Sequence, residues 1–218
     1  KGKVNNTTDG YTEPNLDYIT SAPIELNTPF NDFIFCESFT DIITIDSTAD
    51  GFQWEISTDN ATWNTVNNNA VYDGSSTNSL QITNPSLAYH NNKFRVVLNR
   101  TGNACAKISN EITLTINPLP VLKTNPELEQ CISADDNNPT VNLTTAEINI
   151  SETANVTFDY FEDITATTQI TDPTSYPVIV NTSQAVFVRV TSGFGCARDL
   201  IELTINIGQT PDNPYNEI

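Results

Sequence analysis

Two pairs of cysteines divide this chain into two similar stretches, and no other feature restricts its fold as much. Cys36 and Cys105 are 69 residues apart, and Cys131 and Cys196 are 65 apart. The second cysteine of each pair opens a matching segment. One reads Cys105-Ala106-Lys107 and then Leu114-Thr115-Ile116-Asn117; the other reads Cys196-Ala197-Arg198 and then Leu203-Thr204-Ile205-Asn206. A glycine, Gly102 or Gly195, lies just before each of these cysteines. A repeat of about 90–100 residues with one even cysteine pair predicts two small β-domains in series. Four cysteines allow three connectivities, and only Cys36–Cys105 with Cys131–Cys196 respects the repeat. Loops of this size would each stabilise a module by on the order of 4 kcal/mol in the chain-entropy model. Disulfides persist in oxidising compartments, which points to a secreted or surface-displayed protein. A zinc site would need ligand pairs only a few residues apart, and no two cysteines are that close.

The formal charge is −18. No Lys or Arg occurs between Lys3 and Lys93, nor between Lys123 and Arg189. Such an acidic surface repels phosphate backbones and anionic lipid, so nucleic acid and polybasic membrane binding are not expected. No apolar run is long enough to cross a bilayer, so membrane insertion is not expected either, and no signal peptide is visible at Lys1. The chain therefore reads as a mature or excised fragment. Asn and Thr are abundant and Met is absent. Asn suits turns, Thr suits strands, and both weaken helices.

Residues 1–22 are polar and read as a linker or the tail of a preceding module. The first module spans 23–117. Pro23-Ile24-Glu25-Leu26-Asn27 has the alternation of a strand, as do Phe52/Trp54/Ile56, Leu80/Ile82, Phe94/Val96/Leu98 and Ile112/Leu114/Ile116. Turn residues bound these runs at Asp59-Asn60, Asp73-Gly74, Asn91-Asn92 and Thr101-Gly102-Asn103. Asn117-Pro118-Leu119-Pro120 reads as a short stiff connector, because proline cannot donate to a central ladder. It should hold two sandwiches in an elongated end-to-end arrangement. The second module, 118–218, ends in a linker toward a next module. It repeats the scheme with Val156/Phe158/Tyr160, Val186/Val188/Val190 and Leu203/Ile205/Ile207. Thr145–Asn149 suits one helical turn, and no long segment of helical period exists. The expected fold is all-β: two β-sandwiches in tandem, each with one disulfide.

Trp54 lies between Cys36 and Cys105 on an alternating strand, the Cys…Trp…Cys order of immunoglobulin-like sandwiches, and reads as core rather than as a sugar-stacking face. The match departs at the tyrosine corner, where Asn103 and Phe194 stand in the tyrosine's place. Trp63, beyond the turn, either packs on its hairpin or faces carbohydrate. His90 is the only histidine, which leaves neither a His-based zinc cluster nor a supported catalytic triad. The many carboxylates make any one acid pair uninformative, and no catalytic motif accompanies them. No enzyme activity, cofactor or catalytic residue is expected. Structural calcium at Asp46–Gly51 or Asp135–Asn138 is the alternative, although neither stretch matches an EF-hand loop.

Phe52-Gln53-Trp54-Glu55-Ile56-Ser57-Thr58-Asp59, with Trp63 and Lys93-Phe94-Arg95-Val96-Val97, resembles immunoglobulin-like repeats of Bacteroidota surface proteins. Val141-Asn142-Leu143-Thr144, Val156–Tyr160, Val188-Arg189-Val190 and Gly195-Cys196 resemble the companion repeat of those arrays. Such arrays occur in large adhesins exported by type IX secretion, including the gliding-motility adhesin. The resemblance therefore implies a cell-surface location, a non-catalytic filament for attachment and gliding, and surface or polysaccharide ligands beside neighbouring repeats as partners. Asp46-Ser47-Thr48 is similar to the O-glycosylation tripeptide of that phylum. The rival reading is a spacer or carbohydrate-binding pair from a secreted polysaccharide-degrading enzyme.

Overall fold

A computed structural model describes residues 22–133 and 135–210, and within them strands dominate. The stretches read as the leading and trailing linkers lie outside these residues, apart from Ala22. In the first half the strands are β1 (Phe33–Cys36), β2 (Asp41–Thr44), β3 (Gly51–Ser57), β4 (Asn64–Thr65), β5 (Tyr72–Asp73), β6 (Ser79–Ile82), β7 (Lys93–Asn99), β8 (Lys107–Ile108) and β9 (Ile112–Asn117). One sheet has the order β1-β9-β7-β3-β4, with β8 on β7, and the other has the order β2-β6-β5. Two sheets with B-E-D facing G-F-C, in chain-order letters, are the immunoglobulin-like sandwich.

Period-2 alternation builds the interior. Phe94, Val96 and Leu98 of β7 and Ile112, Leu114 and Ile116 of β9 point inward onto Ile43 of β2 and Leu80 and Ile82 of β6. Trp54 on β3 is fully buried, edge-on to Phe30, and its Nε1 donates to the Thr77 carbonyl at 2.9 Å. Immunoglobulin domains often place a disulfide between strands B and F. Here β2 and β7 carry only aliphatic and aromatic core residues at their buried positions.

The second half contains β10 (Glu127–Ser133), β11 (Thr140–Val141), α1 (Glu147–Ile150), β12 (Val156–Phe161), β13 (Tyr176–Pro177), β14 (Ser183–Ser192) and β15 (Ile201–Thr210). Its main sheet has the order β10-β15-β14-β12 and repeats β1-β9-β7-β3 of the first half. The pair β11–β13 corresponds to β2–β6. This second face is much reduced, and a 3₁₀ turn at Leu143–Ala146 running into α1 covers the remaining core. Asn142 caps the turn by accepting from the Thr144 N–H, and Leu143, Ala146 and Ile150 are buried along one side. The helical segment is thus longer than the single turn expected at Thr145–Asn149. Pro23–Asn27 contributes only a bridge, Leu26 to Ser47, although Ile24 is buried.

Two separate apolar clusters result, one from Ile24 to Ile116 and one from Leu128 to Ile207. Among the described residues no strand pairs across Pro118. In both halves the first strand joins the last in parallel: β1 on β9 and β10 on β15.

The two cores treat a buried phenol differently. Tyr160 donates to Glu147 Oε1 at 3.2 Å, which ties β12 to α1, whereas the Tyr72 hydroxyl is buried without a partner. Burial pushes both phenols well above their usual pKa. An unpaired buried hydroxyl destabilises, and a paired one contributes about 1 kcal/mol. Tyr72→Phe is therefore expected to raise unfolding free energy by about 0.5–1 kcal/mol, and Tyr160→Phe to lower it by about 1 kcal/mol. Urea titration of the two variants decides this, and the opposite order would refute it.

Candidate functional site

The chain leaves the first core through a very short connector. The Asn117 carbonyl still accepts from Glu37 N at 2.9 Å, beside β1. From Val121 onward the second core holds the chain: Val121 N donates to Thr153 Oγ1, Ser151 Oγ donates to the Val121 carbonyl, and Lys123 N donates to the Ile150 carbonyl. Between these anchors lie Pro118, Leu119 and Pro120. Pro120 is buried, and its carbonyl accepts from Arg198 Nε at 3.0 Å.

A disulfide joins Cys36 to Cys196 beside this connector, with a Cα–Cα distance of 5.6 Å. It links the end of β1 to the turn between β14 and β15 and spans 160 residues of sequence. The turn is built for that position. Gly195 has φ +84°, in the left-handed region, and its N–H donates to the Ser192 carbonyl at 2.8 Å. Ser192 N then donates to the Cys196 carbonyl at 2.9 Å, and Cys196 N donates to Ser192 Oγ at 3.2 Å. Cys196 is 1% exposed. A cavity of about 410 Å³, lined in part by Leu119, Val121, Asn155 and Phe194, lies next to the connector.

This pairing corrects the one expected from the repeat: neither Cys36–Cys105 nor Cys131–Cys196 forms, and Cys105 and Cys131 are free and exposed. Strand register supplies the reason. Cys36 lies opposite Asn117 at the trailing end of the first sheet, while Cys105 lies beyond the Leu98–Lys107 pair at the leading end. About nine residues of strand separate those ends, roughly 30 Å, against the Cα separation of under about 7 Å that a disulfide needs. In the second half Cys131 lies opposite Gly208 at the trailing end, and Cys196 sits in the leading turn. Cysteines of one repeat are therefore at opposite ends of their sheet.

Other singled-out residues have structural partners. Trp63 is half-buried, with the Arg95 guanidinium 4.2 Å above its ring, and Arg95 Nε also bonds Glu55 Oε2 at 2.6 Å. His90 Nδ1 accepts from Ile116 N at 3.0 Å. Of the acidic stretches, Asp46 Oδ1 accepts from Asn27 Nδ2, and Asp136 Oδ1 accepts from Asn138 N. The Thr101 backbone N–H, with its side chain, holds Asp50 below the usual carboxylate pKa. Among the described residues no group of three His, Cys, Asp or Glu side chains is placed to hold a metal, and no helix is long and apolar enough to cross a membrane.

Residues 127–211 match the model described as the Flavobacterium inter-domain disulphide bond domain, and residues 31–118 match a domain of unknown function (DUF8696). No curated protein matches. Among solved structures, the chain is similar to the I-band fragment I67–I69 of titin, at 9% identity and TM-score 0.44, over 87% of this chain and 67% of that one. It is also similar to the N-terminal Ig1–2 module of the Drosophila receptor protein tyrosine phosphatase DLAR, at 11% identity and TM-score 0.35, over 85% and 99%. A third similarity is to a Dscam structure, at 12% identity and TM-score 0.40, over 88% and 47%. The immunoglobulin-like assignment rests on strand order and not on these similarities.

Cys36→Ser and Cys196→Ser should each lower stability by about 2–4 kcal/mol, and the double variant should lose no more than either single one. Cys105→Ser and Cys131→Ser should stay within about 0.5 kcal/mol. Denaturant titration without reductant, with peptide mapping, reads both. An equal loss at Cys105, or a mapped Cys36–Cys105 bond, would overturn the assignment.

Proposed function

We propose that this chain is a non-catalytic pair of modules from a large, secreted bacterial surface adhesin, where it builds a filament for attachment and gliding. The observation that carries this reading is the position of the Cys36–Cys196 bond. A connector of three residues alone would let the two modules swivel. A second covalent link beside it makes a two-point joint, which resists bending and fixes how one module presents the next. Disulfides between modules persist in oxidising surroundings, which supports an extracellular site. The acidic surface keeps such a filament soluble and away from anionic lipid.

The bond also changes how tension passes through the chain. Force applied at the two termini runs along the chain to Cys36, across the disulfide to Cys196 and onward, bypassing the intervening stretch, a sequence separation of 160. Unfolding of both cores would then release none of that length, about 550 Å at 3.3–3.6 Å per residue. This property suits a load-bearing filament and has no evident use in a passive spacer beside a catalytic domain.

Single-molecule stretching of the chain should show this length appearing only after reduction of the disulfide. In cells, deleting residues 23–210 from the parent protein should leave export intact, shorten the surface filament and weaken attachment in proportion. Cleavage of a polysaccharide by the purified chain, or a parent retained in the cytoplasm with reduced cysteines, would overturn the reading.

A further inference from the structure

We infer that Cys105 and Cys131 are the outward halves of two further joints of the same kind. Cys105 bonds the first-strand cysteine of a preceding module, and Cys131 bonds the hairpin cysteine of a following one. Cys131 stands on β10 as Cys36 stands on β1: each first strand is parallel to the last strand of its half, and each cysteine is at the trailing end. Leu114–Asn117 corresponds in sequence to Leu203–Asn206, so Cys131 lies opposite a residue two positions further on than Cys36 does. A shift of two keeps both on the same sheet face. Their inward neighbours, Phe35 and Ile132, are both buried.

Cys105 corresponds in turn to Cys196. Each lies in the leading hairpin, two residues before a basic side chain, and just after a glycine with φ above +80°. The basic residues do the same work. Arg198 Nε bonds the Pro120 carbonyl at 3.0 Å, and Lys107 Nζ bonds the Ile24 carbonyl at 2.9 Å, so each holds the segment that enters its module. Arg100 adds a bond to the Pro23 carbonyl at 3.1 Å. The hairpin of Cys105 is thus set beside its incoming chain as the hairpin of Cys196 is set beside the connector. What differs is the partner: Cys196 is bonded and buried, whereas Cys105 is exposed and free.

The trailing end also offers a place for an incoming turn. An open cavity of about 600 Å³ is lined by Gln130, Cys131, Asn181, Thr182, Ile207 and Gly208, among others. Gly208 has no side chain to cover the Cys131 Sγ; a Cβ there would touch it at 3.6 Å. The occupant is a module of this same kind, because the leading hairpin of such a module already fits the trailing end of its neighbour once, at Cys36–Cys196. Head-to-tail joining of two different surfaces extends into an open array unless its rotation closes a ring. In each new joint two thiols lose two protons and two electrons to an exchanging disulfide, such as glutathione disulfide, which leaves as two thiols while one S–S bond forms.

The inference takes its partners from the tandem-array reading, but its test involves no cell, surface or ligand, so the two can fail separately. Two copies of the 218-residue chain are fused head to tail and equilibrated in a glutathione–glutathione disulfide buffer. One fusion carries Cys105→Ser in the first copy and Cys131→Ser in the second. This leaves Cys131 of the first copy facing Cys105 of the second. Peptide mapping should find two Cys36–Cys196 bonds and one Cys131–Cys105 bond, with no titratable thiol. The reciprocal fusion, with Cys131→Ser first and Cys105→Ser second, should keep two thiols. Equal oxidation of both fusions, or a first fusion that forms Cys36–Cys196 and keeps its two thiols, would overturn the inference. So would failure of Cys36–Cys196 itself.

Discussion

The Cys36–Cys196 bond is a covalent link between two apolar cores that the backbone joins through a short connector. Each core has its own sheets and its own closed set of buried side chains, and only three connector residues lie between them. The bond is feasible because two local arrangements meet there. One is the narrow β14–β15 turn, held by Ser192 and Gly195, which buries Cys196. The other is the parallel pairing of β1 with β9, which carries Cys36 to the end where the chain leaves the first core.

That parallel pairing has a geometric consequence for the whole chain. A first strand lying antiparallel to the last would finish at the leading end of its sandwich, beside its own hairpin. Lying parallel to it, β1 and β10 finish at the trailing end. Each half therefore carries one cysteine at its leading end and one at its trailing end, about a sheet length apart. Distance alone excludes a bond between the two cysteines of one half.

Much of this was legible in the residues. The period-2 runs on β3, β7, β9, β14 and β15 are strands with the expected residues facing inward, and Trp54 is buried on the third strand. The all-β class and the repeat were readable for the same reason: alternation and turn chemistry are local. Cysteine pairing was not readable, because it depends on which end of a sheet each cysteine occupies, and that follows from strand direction. Glycines at 102 and 195 did mark Cys105 and Cys196 as hairpin residues. Nothing local marked β1 and β10 as parallel to the last strand. The reduced second face of the C-terminal half was hidden in the same way, since Leu143, Ala146 and Ile150 disclose a helical side only once Asn142 is known to cap it.

The order of the cysteines along the chain would give an array of such joints a second load path beside the one through Cys36–Cys196. With the outer pairs bonded as inferred, every disulfide closes a loop that overlaps the next, since Cys105 and Cys131 both lie inside the Cys36–Cys196 interval. Tension then crosses from a preceding module to Cys105, follows the chain to Cys131 and leaves for the following module. Only 26 residues separate those two cysteines. Fully extended they span about 90 Å at 3.3–3.6 Å per residue. The ten residues of β15 alone cover about 33 Å of folded length, so two modules in line are already a large part of that span. Unfolding both modules would therefore lengthen the array very little. In arrays held by the backbone alone, force lengthens the chain by unfolding modules one after another; interleaved disulfides remove that response and leave a filament of nearly constant length.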